Sequence, residues 1–317
     1  MPRALSANRP VAGVRIGHAE SEDGSSGVTA ILFDRATPVV VDVRGGASAT
    51  YDTASLSLDA TFGRRWGLFL AGGSVHGLDA AAGVREFLLG SGGGTQVFRN
   101  PHRIVSLSGA ALFDLPATVG TLPDYRALGY AAARSADRGT VSTGRVGAGA
   151  GASVGKYLGR ASAMHGGLGW SSRPIGRGRV GALVAINSAG AVRDPARGTW
   201  IAGARRGRGR IVPPRSGPSD VQAGTGTTLT VLLTDLEIPR PTLQRAAAVV
   251  HAALGGVVVP FHSATDGDVL FAASTGIAGP PPAESRPGGT ADALGSLASS
   301  AAVDSILGAV RTANRTH

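Results

Sequence analysis

The 317-residue sequence contains no cysteine. That absence removes disulfides, thiolate metal sites and a cysteine nucleophile together, so any catalysis must rest on oxygen, nitrogen or carboxylate groups. Aromatic residues are sparse, at 5%, and this weakens a nucleic-acid reading of the formal charge of +10. The densest basic stretch, "ARRGRGRIVPPR" at 204–215, has no interleaved aromatic to stack a base and reads as an exposed, mobile connector. No apolar run approaches the roughly 18 residues that cross a bilayer, and "MPRALSANRPVAGVRIGHA" lacks the apolar centre of a signal peptide. The expectation is a soluble cytoplasmic protein with neither a nucleic-acid nor a membrane partner.

Lysine is almost as rare as cysteine. Of 31 basic residues 30 are arginine, and the one lysine is Lys156 in "GAGASVGKYLG". An arginine keeps its proton in a protein, whereas a lysine amine is compact and tunable. Lys156 is thus either a chemical choice or a leftover on a loop.

What the chain has in abundance is apolar material, 43% of residues, and glycine, 49 in all. β-Branched apolar runs predict strands at 28–33, 38–43, 180–187, 228–233 and 269–274. Alanine-rich, one-faced stretches predict helices at 77–89, 125–136, 241–254 and 291–310. Breakers cluster at 90–94, 205–218 and 279–289 without dividing the chain, which reads as one domain spanning 1–317.

The glycine-rich loops fail as phosphate cradles. Gly147, Gly149 and Ala152 satisfy a loose dinucleotide pattern, but no apolar strand precedes them and no acidic residue follows to hold a ribose. A Walker loop fails because Ala150 replaces its first glycine and Tyr157 follows the lysine. Seven histidines lie far apart, and "HSATDGD" at 262–268 lacks the acid spacing of a calcium loop.

Several polar residues stand in apolar surroundings. Asn187 ends "VGALVAIN", where its amide either donates to an oxyanion or makes a turn before Ser188 and Gly190. Asp266 and Asp268 flank Gly267 ahead of a strand. They are either an Asp-Gly-Asp turn or, if the strand begins there, two carboxylates aimed to one side to position an amine or a hydroxyl. In "QAGTGTTLTVLLTD" at 222–235, Gly224, Thr225 and Gly226 precede a core strand. This is either a tight turn or a peptide bond, Gly226-Thr227, left open to attack by the threonine hydroxyl.

Together the blocks "VAGVRIGHA", "GVTAILF", "AGGSVHGLDAAAGV", "GAGAGASVGK", "GTTLTVLLTD" and "PFHSATDGDVLFAAST" give the chain a resemblance over nearly its whole length. It resembles the self-processing N-terminal-nucleophile hydrolases that include the L-aminopeptidase D-amidase/D-esterases, the β-peptidyl aminopeptidases and the 6-aminohexanoate-oligomer (nylon) endohydrolase. The resemblance implies an α+β fold, the αββα sandwich of two mainly antiparallel sheets between helical layers. It also implies that Thr227 is the nucleophile and that Lys156, Asn187, Asp266 and Asp268 occupy active-site positions of the nylon-hydrolase branch. That branch carries asparagine before the cut, whereas Gly226 agrees with the aminopeptidases.

By this likeness the chain is cut at Gly226-Thr227 into residues 1–226 (α chain) and 227–317 (β chain), and the cleaved protomers form homo-oligomers, tetramers or larger. No metal or organic cofactor is required: the freed Thr227 amine, with a reference pKa of roughly 7.7–8.0, serves as base for the hydroxyl beside it. The implied activity is amide hydrolysis of oligoamides such as 6-aminohexanoate oligomers. The alternatives are an aminopeptidase or amidase on small D-amino-acid or β-amino-acid amides and peptides, and a processed but catalytically silent binding protein.

Overall fold

The computed structural model describes residues 8–98, 101–117, 120–207, 209–214, 226–284 and 286–315. Gly224 and Thr225 of the strand-entry motif, and Arg208 and Arg215 of the arginine segment, lie outside the described residues. In chain order the main strands are β1 (Val14–Glu20), β2 (Gly27–Val43), β3 (Ala49–Tyr51), β4 (Arg64–Ala71), β5 (Leu107–Ala111), β6 (Gly167–Ile175), β7 (Gly178–Asn187), β8 (Thr227–Leu236) and β9 (Val269–Gly279). The helices are α1 (Ala80–Gly90), α2 (Tyr125–Arg134), α3 (Arg240–Leu254) and α4 (Gly289–Ala313).

Where the pattern predicts two strands, at 28–33 and 38–43, the chain forms one. The first half of β2 pairs with β1 and β4, and its second half pairs with β9. β1 pairing ends at Phe33, and beyond a register shift between Leu32 and Thr37, where Asp34 and Arg35 are exposed, β2 keeps β4 for Thr37 and Pro38 before pairing with β9 from Val39. Such an irregularity bends a strand, and here it lets one strand serve two sheets. The first sheet is β6-β7-β8-β9 with the end of β2, and the second is β1, the start of β2, β4, β5 and β3. Pairing is antiparallel except between β8 and β9 and between β4 and β5.

Side-chain alternation then sorts the core into layers. Leu229, Val231 and Leu233 of β8 meet Ile31, Leu68 and Leu70 between the sheets. On the outer faces, Ala182, Val184 and Ile186 pack under α3 and α4, while Ala30, Leu32 and Phe69 pack under α1 and α2. This is the expected αββα sandwich.

Five of these strands escape the sequence pattern: β1, β3, β4, β5 and β6. β6 reads "GLGWSSRPI", with two glycines, two serines and a proline. The proline is tolerated because β6 is the edge strand of its sheet, beside β7. The predicted helix at 77–89 opens instead with a 3₁₀ turn, Ser74–Asp79, and α1 starts at Ala80. Among the described residues α4 is long and apolar enough to cross a membrane, which the short-run reading of the sequence did not anticipate; its apolar face is occupied by β6, β7 and α3. Of the arginine segment, Arg205, Arg206 and Arg210 are exposed as expected, while Arg205–Arg206 and Arg210–Ile211 pair as a short ribbon and Val212 accepts a hydrogen bond from the Tyr157 hydroxyl.

α4 sits so close to β6 that a Cβ on Gly169 would lie 1.9 Å from the carbonyl oxygen of Ser305. On the same helix a Cβ on Gly308 would meet nothing within 4 Å. Gly169→Ala should therefore lower stability by about 1–3 kcal/mol through overpacking. Gly308→Ala should raise it by up to about 1 kcal/mol through helix propensity. Thermal melts of the two variants check this pair; equal shifts would show that helix–sheet spacing is not the constraint.

Candidate active site

The site is assembled by strand register. β8 is flanked by β7, antiparallel, and β9, parallel, so the end of β7 and the starts of β8 and β9 meet. Thr227 pairs with Asn187, Leu229 pairs with Val269, and a parallel bridge joins Gly226 to Asp266. Thr227 is buried, and its hydroxyl donates to the Gly226 carbonyl at 2.6 Å. The Gly267 N–H donates to the same oxygen at 2.9 Å. Position 226 has no room for a side chain, since a Cβ there would lie 1.9 Å from Asp266 Oδ1.

Lys156 is 5% exposed and so does not lie on a solvated loop. Gly155, in the left-handed region at φ 80°, turns the chain into the 3₁₀ turn Lys156–Leu158. The ammonium donates to the Asn187 carbonyl at 2.8 Å and to Asn187 Oδ1 at 2.9 Å. Both acceptors are neutral, so they satisfy N–H groups without supplying negative charge. Burial above all, with Arg160 adding repulsion, lowers the lysine pKa to about 7, against the opposing pull of Asp266 and Asp114.

Asn187 makes its hydrogen bonds to distant parts of the chain. Oδ1 also accepts the Ser153 N–H at 3.0 Å, and Nδ2 donates to the Phe113 carbonyl at 2.9 Å. None of these partners belongs to the turn that follows it.

β9 begins at Val269, so both aspartates come from the loop before the strand and strand alternation does not aim them. They face the same segment nevertheless. Asp268 Oδ1 accepts the Thr228 N–H at 2.7 Å. Asp266 Oδ2 accepts the Ser263 N–H at 2.9 Å, while its Oδ1, beside Gly226, is buried without a hydrogen-bond partner among the described residues. Burial first and the Asp268 charge second push the Asp266 carboxyl above its ordinary range.

All five candidate residues and Gly226 therefore gather where the end of β7 meets the starts of β8 and β9. Sequence reasoning missed the Gly267 N–H, a backbone group with no side-chain signal. It also missed the 113–114 segment in "ALFDLP". There the Phe113 carbonyl anchors Asn187, and the buried Asp114 carboxyl accepts the Gly73 N–H at 2.7 Å and the Ser26 hydroxyl at 2.9 Å. Burial raises Asp114 to about 6 despite these donors.

The model of Peptidase family S58 matches residues 10–317. The chain is 32% identical to a 6-aminohexanoate-oligomer endohydrolase of Paenarthrobacter ureafaciens over 318 residues, covering 93% of this chain and 83% of that one. It is 32% identical to an uncharacterized aminopeptidase of Mycobacterium tuberculosis over 292 residues, covering 86% and 82%. Among solved structures, the L-aminopeptidase D-Ala-esterase/amidase of Ochrobactrum anthropi, described as a variant of the Ntn hydrolase fold, superposes with a TM-score of 0.65. That likeness, at 23% identity, covers 96% of this chain and 84% of the other. A β-aminopeptidase of Burkholderia sp. gives a TM-score of 0.62 at 20% identity over 96% of this chain and 84% of that one. With a family match over nearly the whole sequence and the same sandwich fold, the chain belongs to Peptidase family S58 and is an amide-bond hydrolase.

Proposed function

We propose that this hydrolase activates itself by cutting Gly226-Thr227 and then uses Thr227 as nucleophile and base. The observation that carries the reading is the Thr227 hydroxyl lying on the carbonyl it would attack, 2.6 Å from its oxygen, with the Gly267 N–H on that oxygen at 2.9 Å. In self-processing, Thr227 Oγ1 adds to the Gly226 carbonyl carbon and its proton passes toward Lys156, neutral in part near pH 7. A neutral amine can still make both donations to Asn187, so its seat survives loss of the proton. The Gly267 N–H supports the oxyanion, the Thr227 nitrogen leaves with a proton, and water hydrolyses the resulting ester. The products are a Gly226 carboxylate and a free Thr227 amine.

Asp266 Oδ1, buried without a hydrogen-bond partner among the described residues, gives this sequence of events physical sense. A buried acceptor with nothing to accept is costly, and an amine created at residue 227 supplies the donor. In turnover the amine takes the hydroxyl proton, Thr227 Oγ1 is acylated by the substrate amide, and the leaving amine departs protonated. Asn187, with one Nδ2 N–H beyond that given to Phe113, donates to the oxyanion, and Lys156 helps hold negative charge. Asp266 and Asp268 orient the amine and the hydroxyl. The substrate class we propose is small oligoamides such as 6-aminohexanoate oligomers, by likeness to the endohydrolases. Gly226 before the cut and the aminopeptidase relative favour the second reading, an aminopeptidase on small D- or β-amino-acid amides. The family resemblance extends the proposal to homo-oligomers of four or more cleaved protomers.

Intact-mass analysis of active enzyme should show two chains, 1–226 and 227–317, and Thr227→Ala should give one uncut chain that hydrolyses no amide. A single full-length chain in fully active wild type would sink the proposal. A panel of 6-aminohexanoate oligomers and small amino-acid amides, given to the processed protein, separates the two substrate readings.

If neutral Lys156 accepts the hydroxyl proton, the processing rate should rise about tenfold per pH unit on the acid side and level off above about pH 7. Lys156→Arg, which keeps its proton throughout, should process as poorly as Lys156→Met. Wild-type-like processing by the arginine variant would remove Lys156 from the chemistry.

Asn187→Ala should fold but lose on the order of 10²- to 10³-fold in turnover. Asn187→Asp keeps the oxygen that accepts from both Ser153 and Lys156 while losing the donor. Turnover of the aspartate variant near the wild-type value would reassign Asn187 from oxyanion donor to support for Lys156.

A further inference from the structure

Asp268 is gripped from two directions. Oδ1 accepts the Thr228 N–H at 2.7 Å, and Oδ2 accepts the His262 backbone N–H at 3.0 Å and faces His262 Nδ1 at 2.9 Å. A carboxylate only accepts, so His262 Nδ1 carries the proton. Nε2 of the same ring is buried and has no hydrogen-bond partner among the described residues.

The ring itself is tightly specified. Phe261 stacks on it with centroids 3.8 Å apart, and His251 meets it edge-on at 4.8 Å. His251 Nδ1 lies 2.9 Å from Asp42 Oδ2, and Asp42 is paired in turn with Arg44 at 2.9 Å. The His262 backbone occupies the left-handed region at φ 58°, which histidine and asparagine enter more readily than most residues. Elements from β2, α3 and the loop before β9 thus fix one imidazole, and its Nδ1–H goes to Asp268.

We propose that His262 is a positioning residue of the hydrolase: its Nδ1–H fixes Asp268 so that the other carboxylate oxygen holds Thr228, and with it Thr227, in place. The proposal rests on Thr227 being the nucleophile. Without the imidazole donor, Oδ2 of Asp268 is left with the His262 backbone N–H, and the carboxylate that accepts the Thr228 N–H is less firmly oriented. Looser positioning of this kind acts on the chemical step, because nucleophilic attack tolerates little misplacement.

Two substitutions isolate the donor. His262→Phe keeps the stacking and removes the N–H, whereas His262→Asn keeps an N–H near the Nδ1 position and the tolerance for positive φ but loses the ring. In processed enzyme, His262→Phe should lower kcat on the order of 10- to 100-fold. Its KM should stay within about threefold of wild type, as expected when an interaction serves the transition state alone. His262→Asn should recover most of the lost kcat. Wild-type turnover in the phenylalanine variant overturns the proposal, as does an equal loss of kcat in both variants, which would assign the ring to packing. Should the phenylalanine variant fail to fold, the asparagine variant decides: near-wild-type turnover supports the donor role, and a folded but nearly inactive protein refutes it. Thr227→Ala in the same assay keeps the two levels apart. Turnover in that variant dismisses the nucleophile assignment, whereas its inactivity beside a wild-type-like His262→Phe dismisses the histidine alone.

Discussion

The structure depends on the parallel pairing of β8 with β9. Antiparallel neighbours joined by a hairpin would bring the end of one strand to the start of the next. A parallel pair instead sets two strand starts side by side, and the crossover through α3 makes this possible. Thr227 and Thr228 therefore stand level with the loop of Asp266 and Asp268, and antiparallel β7 delivers Asn187 to the other flank. Lys156, buried on Asn187, completes a small polar island in a sheet whose faces are apolar on both sides. Burial sets the charge state of the island. It weakens the lysine's hold on its proton and strengthens that of Asp266, which moves both groups toward neutrality.

Read alone, Gly226 belongs either to a tight turn or to a peptide bond left open to attack. In the fold it supplies space, because Asp266 Oδ1, which has no hydrogen-bond partner among the described residues, occupies the volume that a side chain would need. A missing side chain and a buried carboxylate oxygen are thus the same feature seen from two residues.

The strands with β-branched apolar runs were legible from the sequence, as were the four helices to within a few residues at most ends. β6 was not, because its glycines serve the close approach of α4 and leave no hydrophobic alternation to read. The bend in β2 was read as a break, since Asp34 and Arg35 interrupt an apolar run whose backbone nonetheless continues. The side chains of the site came through in the resemblance, and Lys156 stood out by rarity alone. Their arrangement did not. The Gly267 N–H carries no side chain, Phe113 acts through its carbonyl, and the two aspartates are aimed by a loop whose geometry no alternation rule describes. Contacts made by the backbone are invisible to any reading that weighs side-chain types.

The proposed cut falls between β7 and β8, inside the order of one sheet and not at its edge. The C-terminal piece would contribute β8 and β9 as interior strands, enclosed by β7 and β2 of the N-terminal piece. It would also contribute α3 and α4, which cover one face of that sheet. Cleavage would therefore leave the native contacts intact while changing the order of the unfolding equilibrium. A one-chain precursor unfolds as a unimolecular event, but the cut protein dissociates as it unfolds, and its apparent melting temperature becomes a function of protein concentration.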